Sequence, residues 1–359
     1  MSPPQTQDPN TAFSTNPSSL FTPFTLRLAN NAILTGITHI PSSGLFHTSP
    51  TKPLLIAIHG ATCSAHNYDI NPQYNASTYS ALTGITFVAF HRPNYLGSSG
   101  WIRKADTFDK PAQGVSDFEE EARWYHEYIF PLLWEEFGLK NGCSALVTTS
   151  HSMAVATTII AAGYYSQTAV EARKYPWAGM VGFGLGEEPT AAMLRGSERL
   201  GSVKWKEGEL PLGQEEDVHI GPFGKEDKLA LMLGPEGCCG EELRELCWRQ
   251  NTPFLLNEVV DLNGVWRERK EVFKGRVEIP VLYGVGTMEW LWKHEGRHVE
   301  MFTRGFVKAP RVEGAVISGA PHAIEWSPMA GGWWLRVFGW AAEVTASREV
   351  EGWGLEEFE

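Results

Sequence analysis

The stretch Ser144–Ala154, Ser-Ala-Leu-Val-Thr-Thr-Ser-His-Ser-Met-Ala, constrains this chain more than any other. A β-branched run stops abruptly among small residues around Ser152, and a helix-forming run, Val155 to Ala162, follows at once. The pattern reads as a strand, a sharp turn and a helix, with a serine held at the turn. Such a turn strains the serine backbone and lifts its hydroxyl above the sheet edge. Strand and helix nearly touch there, so the flanking side chains must be small. The usual pattern is Gly-x-Ser-x-Gly; this chain has Ser150-His151-Ser152-Met153-Ala154. Both glycines are replaced by the next smallest residues, which can still meet the steric demand. The same string also fits an ordinary strand end, so its neighbours in the sequence decide between the two.

Four other segments bear on that choice. Pro53–Gly60 is a continuous apolar run closing on His59-Gly60, as suits a strand buried on both faces of a parallel sheet. A small polar loop, Ala61-Thr62-Cys63-Ser64, follows it. A second run, Ile85 to Phe90, ends in His91-Arg92-Pro93-Asn94-Tyr95-Leu96-Gly97-Ser98-Ser99. Val281 to Trp290 reads as a strand ending in a glycine loop that carries Glu289. Ala315 to His322 reads as a strand ending in a histidine.

With these five landmarks in this order, the chain resembles the α/β-hydrolase superfamily from about Leu54 to the helix near Trp340. It is also similar to fungal members of that superfamily, some of which serve natural-product pathways. The resemblance implies an α/β fold: a mostly parallel central sheet flanked by helices, with an inserted helical cap. It implies a nucleophile at Ser152, a base at His322 and an acid at Glu289, the order this fold uses. The backbone N–H groups of Met153 and Ala61 are the implied oxyanion donors. The family usually has aspartate where this chain has Glu289. Glu187 and Glu188 follow the preceding strand and remain the alternative source of the acid. His59 is expected to support the oxyanion loop, and Arg92 to bridge loops. Trp290, Trp326, His151 and Cys63 are the candidate substrate-binding residues, with plain core packing as the competing reading for each.

Composition narrows the function classes. The formal net charge of −12 argues against nucleic-acid binding, which needs a basic footprint, and disfavours anionic membrane surfaces and substrates. The five cysteines, an odd count without regular spacing, make no disulfide framework. No His/Cys/Asp cluster has metal-ligand spacing, and no cofactor is expected. The first residues carry no charged-then-apolar signal, and no apolar run has membrane-spanning length. The expectation is a cytoplasmic protein without stable membrane insertion, acting on a small lipophilic molecule. The oligomeric state is not legible.

Along the chain, residues 1–22 are rich in Pro, Ser, Thr, Gln and Asn and read as a flexible leader. Phe24–Ala29 and Ile33–Ile40, split by Asn30-Asn31, read as a β-hairpin. Asp117 to Phe137 reads as an amphipathic helix with a capping box from Ser116 and Glu119 and a kink at Pro131. Gly179–Leu185 reads as a further strand. The segment 187–276 reads as helices at Lys225–Leu233, Glu241–Gln250, Phe254–Val260 and Val265–Lys274, separated by glycine-proline breaks. The resulting division is a core of 23–186 and 277–359 with a cap of 187–276. A helix from Trp290 to Phe302 is expected after Glu289.

The function implied first is hydrolysis of a carboxylic ester, lactone or thioester of a small-to-medium lipophilic substrate through an acyl-enzyme. The same residues could serve a lyase, isomerase or cyclase, and a ligand receptor on this fold is a third reading.

Overall fold

The computed structural model describes residues 16, 18–100, 115–194, 219–220, 224–234 and 239–351. Most of the expected leader lies outside the described residues, as do 195–218, 221–223 and 235–238 of the expected cap. Ten strands are described: β1 (Thr22–Arg27), β2 (Ile33–His39), β3 (Pro53–Ile58), β4 (Thr86–Phe90), β5 (Ala145–His151), β6 (Trp177–Phe183), β7 (His219–Ile220), β8 (Phe254–Leu255), β9 (Val281–Gly286) and β10 (Val312–Ile317). Eight form one sheet in the order β1-β2-β4-β3-β5-β6-β9-β10. β2 runs antiparallel to β1 and β4, and every other pair is parallel.

The apolar runs behave as strands covered on both faces. In β3, Leu54, Ile56 and Ile58 enter one core while Leu55 and Ala57 enter the other. In β4, Val88 and Phe90 face the first core, and Phe87 and Ala89 face the second. This is the two-residue period of the pleat. The first core is closed by Phe118, Trp124, Tyr125, Ile159 and Ile160 from the helices on that side. The second is closed by the C-terminal helix Ala330–Glu351, whose Trp334 and Phe338 rings pack on Phe87. A helix on each face between parallel strands is what this connectivity requires.

The capping box forms as expected: the Glu119 N–H donates to Ser116 Oγ (3.2 Å), and the Glu119 carboxylate accepts from the Ser116 N–H. The helix beginning at Asp117–Trp124 is not sharply broken at Pro131. It widens into a π turn at Tyr125–Ile129 before Phe130–Leu133. Proline lacks an N–H and its ring crowds the carbonyl four residues back, and a wider turn relieves both.

Three sequence expectations are corrected. Phe254 and Leu255 pair as β8 with β7, so the helix there starts only at Leu256 and runs through a π turn at Leu262–Trp266 into Arg267–Lys274. After Glu289 the helix is Gly296–Thr303, because the backbone of residues 290–293 instead bonds to Glu188 and Thr190. The last sheet strand stops at Ile317, and Gly319 turns at φ 76° to carry the chain on to His322.

The segment between β6 and β9 leaves the sheet and returns to it. Its helices Lys225–Leu233 and Glu241–Arg249 pack Leu229, Met232, Leu233, Leu243 and Cys247 against Cys63, Ile70, Ala323 and Trp326. They therefore lie over the loops that follow β3 and β10, at the carboxyl ends of the strands, where ligands bind in open α/β sheets.

Candidate active site

The turn after β5 has the strain that the sequence implied. Ser152 sits at φ 56°, ψ −129°, a conformation L-residues avoid. A Cβ added at Gly60 would stand 2.8 Å from Ser152 Cβ, so the loop after β3 can approach the serine only as glycine. Behind the turn, Val155 fills the space against Gly182 of β6, and Ala154 is fully buried.

His322 and Glu289 meet this serine from two other strand ends. His322 Nε2 lies 2.9 Å from Ser152 Oγ, and His322 Nδ1 lies 2.8 Å from Glu289 Oε2. The consistent tautomer places the proton on Nδ1, so that Nε2 accepts from the serine hydroxyl. The Leu291 N–H donates to Glu289 Oε1 (2.9 Å), which leaves Oε2 to accept from the ring. Gly286 lets the two loops cross: a Cβ there would stand 2.0 Å from the Ala320 carbonyl oxygen. The alternative acids are engaged elsewhere. Glu187 pairs with Lys270 and Lys274, and Glu188 pairs with Lys293.

The helix Met153–Gln167 begins one residue after the serine, so the Met153 N–H is among the first four, which have no intrahelical acceptor. Ala61 follows Gly60 directly. The Gly60 carbonyl is 2.8 Å from His59 Nδ1, and His59 Nε2 accepts the Arg92 N–H at 3.1 Å. These two bonds fix the His59 tautomer and orient the Gly60–Ala61 peptide. Burial, with the Arg92 charge adding to it, holds the His59 imidazole well below its ordinary pKa, hence neutral.

Arg92 is itself fully buried. It spans from Glu121 on the core helix to Glu258 on the inserted segment, and Glu258 also accepts from the Tyr95 hydroxyl. Burial raises the Glu258 carboxyl to about 7 despite the arginine.

His151 lies behind the site. Its ring centroid is 4.7 Å from that of His322, and its Nε2 donates to the His322 carbonyl at 3.2 Å. Burial, then the neighbouring His322 and Lys228 charges, keep it well below the ordinary histidine range. Its Nδ1 faces Glu325 Oε1 at 3.5 Å. Glu325 accepts from Asn67 Nδ2 at 2.7 Å, and burial pushes its carboxyl up to about 8.

The candidate substrate-binding residues are dispersed. Trp326 is fully buried, with its indole N–H on the Asn67 carbonyl (2.7 Å), and packs as core. Cys63 is also fully buried, 3.4 Å from Lys228 Nζ, and burial raises its thiol pKa. Trp290 is 48% exposed. Trp326 and Cys63 thus offer no open surface to a ligand in this conformation. Lys228, Thr252, Asn67 and Glu325 surround the site and were not foreseen. Lys228 did carry a signal: in Lys225–Leu233 it shares the buried helix face with Leu229 and Met232, where a lysine is out of place.

Among the described residues no three His, Cys, Asp or Glu side chains converge to hold a metal ion, and no helix is long and apolar enough to cross a membrane.

No protein-family profile and no curated protein sequence matches the chain. Solved structures do. A soluble variant of monoglyceride lipase from Saccharomyces cerevisiae, in complex with a substrate analogue, is similar over 92% of this chain and 98% of that one, with TM-score 0.59 and 11% identity. Naproxen esterase from Bacillus subtilis is similar over 92% and 94%, with TM-score 0.54 and 13% identity. A membrane phospholipase A described as a bacterial virulence factor is similar over 90% and 87%, with TM-score 0.53 and 16% identity. At such identities the likeness speaks for architecture alone, and with the strand order above it establishes that this chain has the α/β-hydrolase fold.

Proposed function

We propose that the chain is a serine hydrolase that cleaves a carboxylic ester, lactone or thioester of a small-to-medium lipophilic substrate. The observation that carries this reading is the continuous hydrogen-bonded line from Ser152 Oγ through His322 to Glu289, starting at a strained serine. The lipase and esterase names of the similar structures agree with it.

A serine hydroxyl is a weak nucleophile at its own pKa and needs an adjacent base. His322 Nε2 takes the Ser152 proton as Oγ attacks the acyl carbon, and then delivers it to the leaving group. Glu289 holds the Nδ1–H tautomer and stabilises the imidazolium. The Met153 and Ala61 N–H groups bind the oxyanion; losing one such donor typically costs about 3 kcal/mol of transition-state stabilisation. Water then gives a proton to His322 and attacks the acyl carbon, and the bond to Ser152 Oγ breaks as His322 returns the proton to that oxygen, releasing the carboxylic acid. The segment 187–276 acts as a cap that excludes water and supplies substrate contacts. No cofactor is required.

The test is labelling with a fluorophosphonate probe of the wild-type protein and of the Ser152→Ala and His322→Ala variants, with the adduct mapped by mass spectrometry. An adduct on Ser152 that is lost in both variants supports the reading. No adduct in folded wild-type protein, together with no hydrolysis of p-nitrophenyl acetate, sinks it.

A further inference from the structure

Lys228 is fully buried, yet among the described residues it makes no ion pair. Its ammonium donates to the Thr62 carbonyl (2.8 Å) and the Thr62 hydroxyl (2.7 Å), and touches Cys63 Sγ. Buried lysines are nearly always matched by a carboxylate, because desolvating a cation is costly. The neighbouring Glu325 makes no ion pair with it: its Oε1 accepts from Asn67 Nδ2 and faces His151 Nδ1, and burial pushes its carboxyl up to about 8. Thr62, the residue after Ala61, sits at φ 59°, so the turn Lys228 grips is itself strained. The same turn is held by Thr252, whose N–H donates to the Thr62 carbonyl (3.1 Å) and whose hydroxyl donates to the Cys63 carbonyl (2.9 Å). Lys228 and Thr252 both belong to the segment inserted between β6 and β9. The loop that carries one oxyanion donor is therefore fastened by the inserted segment.

We infer that Lys228 is a positioning residue for the oxyanion site: it holds the turn 61–63 so that the Ala61 N–H faces the oxyanion, and its charge, which pairs with no carboxylate among the described residues, meets a counter-charge when that oxyanion forms. The inference rests on the Ser152 reading above. As the Oγ–carbon bond forms, the carbonyl π pair moves to oxygen and the serine proton moves to His322. A negative charge then appears beside a loop that already holds a positive one, unpaired among the described residues. An interaction that strengthens only at that point lowers the barrier rather than tightening ground-state binding.

The experiment compares p-nitrophenyl butyrate with its thiono analogue, O-4-nitrophenyl thionobutyrate. Sulfur is a poor hydrogen-bond acceptor, so the oxygen-to-sulfur rate ratio reports how well the oxyanion site is formed. In Lys228→Met, kcat for the oxygen ester is expected to fall about tenfold or more, with KM within about twofold and the rate ratio reduced. Lys228→Arg restores part of the ratio. Thr62→Val, which removes one acceptor at constant volume, moves the ratio the same way by less, and serves where Lys228→Met does not fold. Unfolding midpoints identify the folded variants. A folded Lys228→Met or Thr62→Val protein with the wild-type ratio overturns the inference, as does an equal fall for both esters. Wild-type protein that turns over neither ester sinks the Ser152 reading and this inference with it; wild-type turnover with an unchanged ratio in the variants sinks this inference alone.

Discussion

Replacing Ser152 by alanine and by glycine separates strain from chemistry at the turn after β5. The native backbone there, φ 56° and ψ −129°, costs a residue with a Cβ about 1–3 kcal/mol. Alanine keeps the Cβ and hence the cost; glycine sheds it. Glycine also loosens the unfolded chain, which offsets roughly 0.4–1 kcal/mol of that gain. Both variants lose the hydrogen bond to His322, so that loss cancels between them. The net expectation is that Ser152→Gly is the more stable variant by about 1 kcal/mol, the reverse of the order at an ordinary buried position. Urea unfolding followed by tryptophan fluorescence reads the difference, and both variants should be inactive. A glycine variant no more stable than the alanine variant would refute the claim that the turn after β5 stores strain.

Other expectations concern the groups around the serine. Glu289→Gln should lower kcat by about 10³–10⁴ because His322 loses its tautomer control, while Glu187→Gln, at a carboxylate paired with Lys270 and Lys274 instead, should leave kcat within about twofold in the same ester assay. Glu325 has a raised carboxyl pKa when folded, so the folded protein keeps a proton that the unfolded chain releases. Its effect is a loss of stability as pH rises from the ordinary carboxylate range to about 8, and none below it. Glu325→Gln should therefore stabilise the protein by a few kcal/mol at about pH 8.5 and by much less at about pH 4, as urea midpoints at the two pH values would show. Arg92→Met strands Glu121 and Glu258 in the interior and should cost about 3–5 kcal/mol in the same unfolding assay.

The residues legible in the sequence are those whose local pattern marks their place in the fold. Ser152, Glu289 and His322 each follow an apolar run broken by small residues, which marks a strand end whether or not the partners are known. The mostly parallel sheet followed from the same runs and from the resemblance they support, whereas its strand order is read only in three dimensions. What escaped notice is assembled by tertiary contact. Asn67 and Glu325 sit in 3₁₀ turns too short to show a period and Thr252 sits in a loop, and their meeting depends on where the inserted segment lands. The tryptophans show the limit of proximity arguments. Trp326 lies four residues after His322, but a short 3₁₀ turn at Ile324–Trp326 points it into the core. Trp290 lies beside Glu289 and faces outward. The Glu187, Glu188 and Glu289 alternatives could be separated only in three dimensions, where lysines engage the first two and leave the third to His322.

The central claim is that Ser152 becomes covalently acylated. The most direct measurement mixes the protein with p-nitrophenyl acetate, quenches it in acid within the first turnovers and maps acetylation by peptide mass spectrometry. The account predicts a burst of p-nitrophenol and an acetyl group on Ser152 in the wild-type protein, a slower rise in Glu289→Gln, and none in Ser152→Ala. Steady turnover with acetyl groups only on lysines or the N-terminus, unchanged in Ser152→Ala, would contradict it.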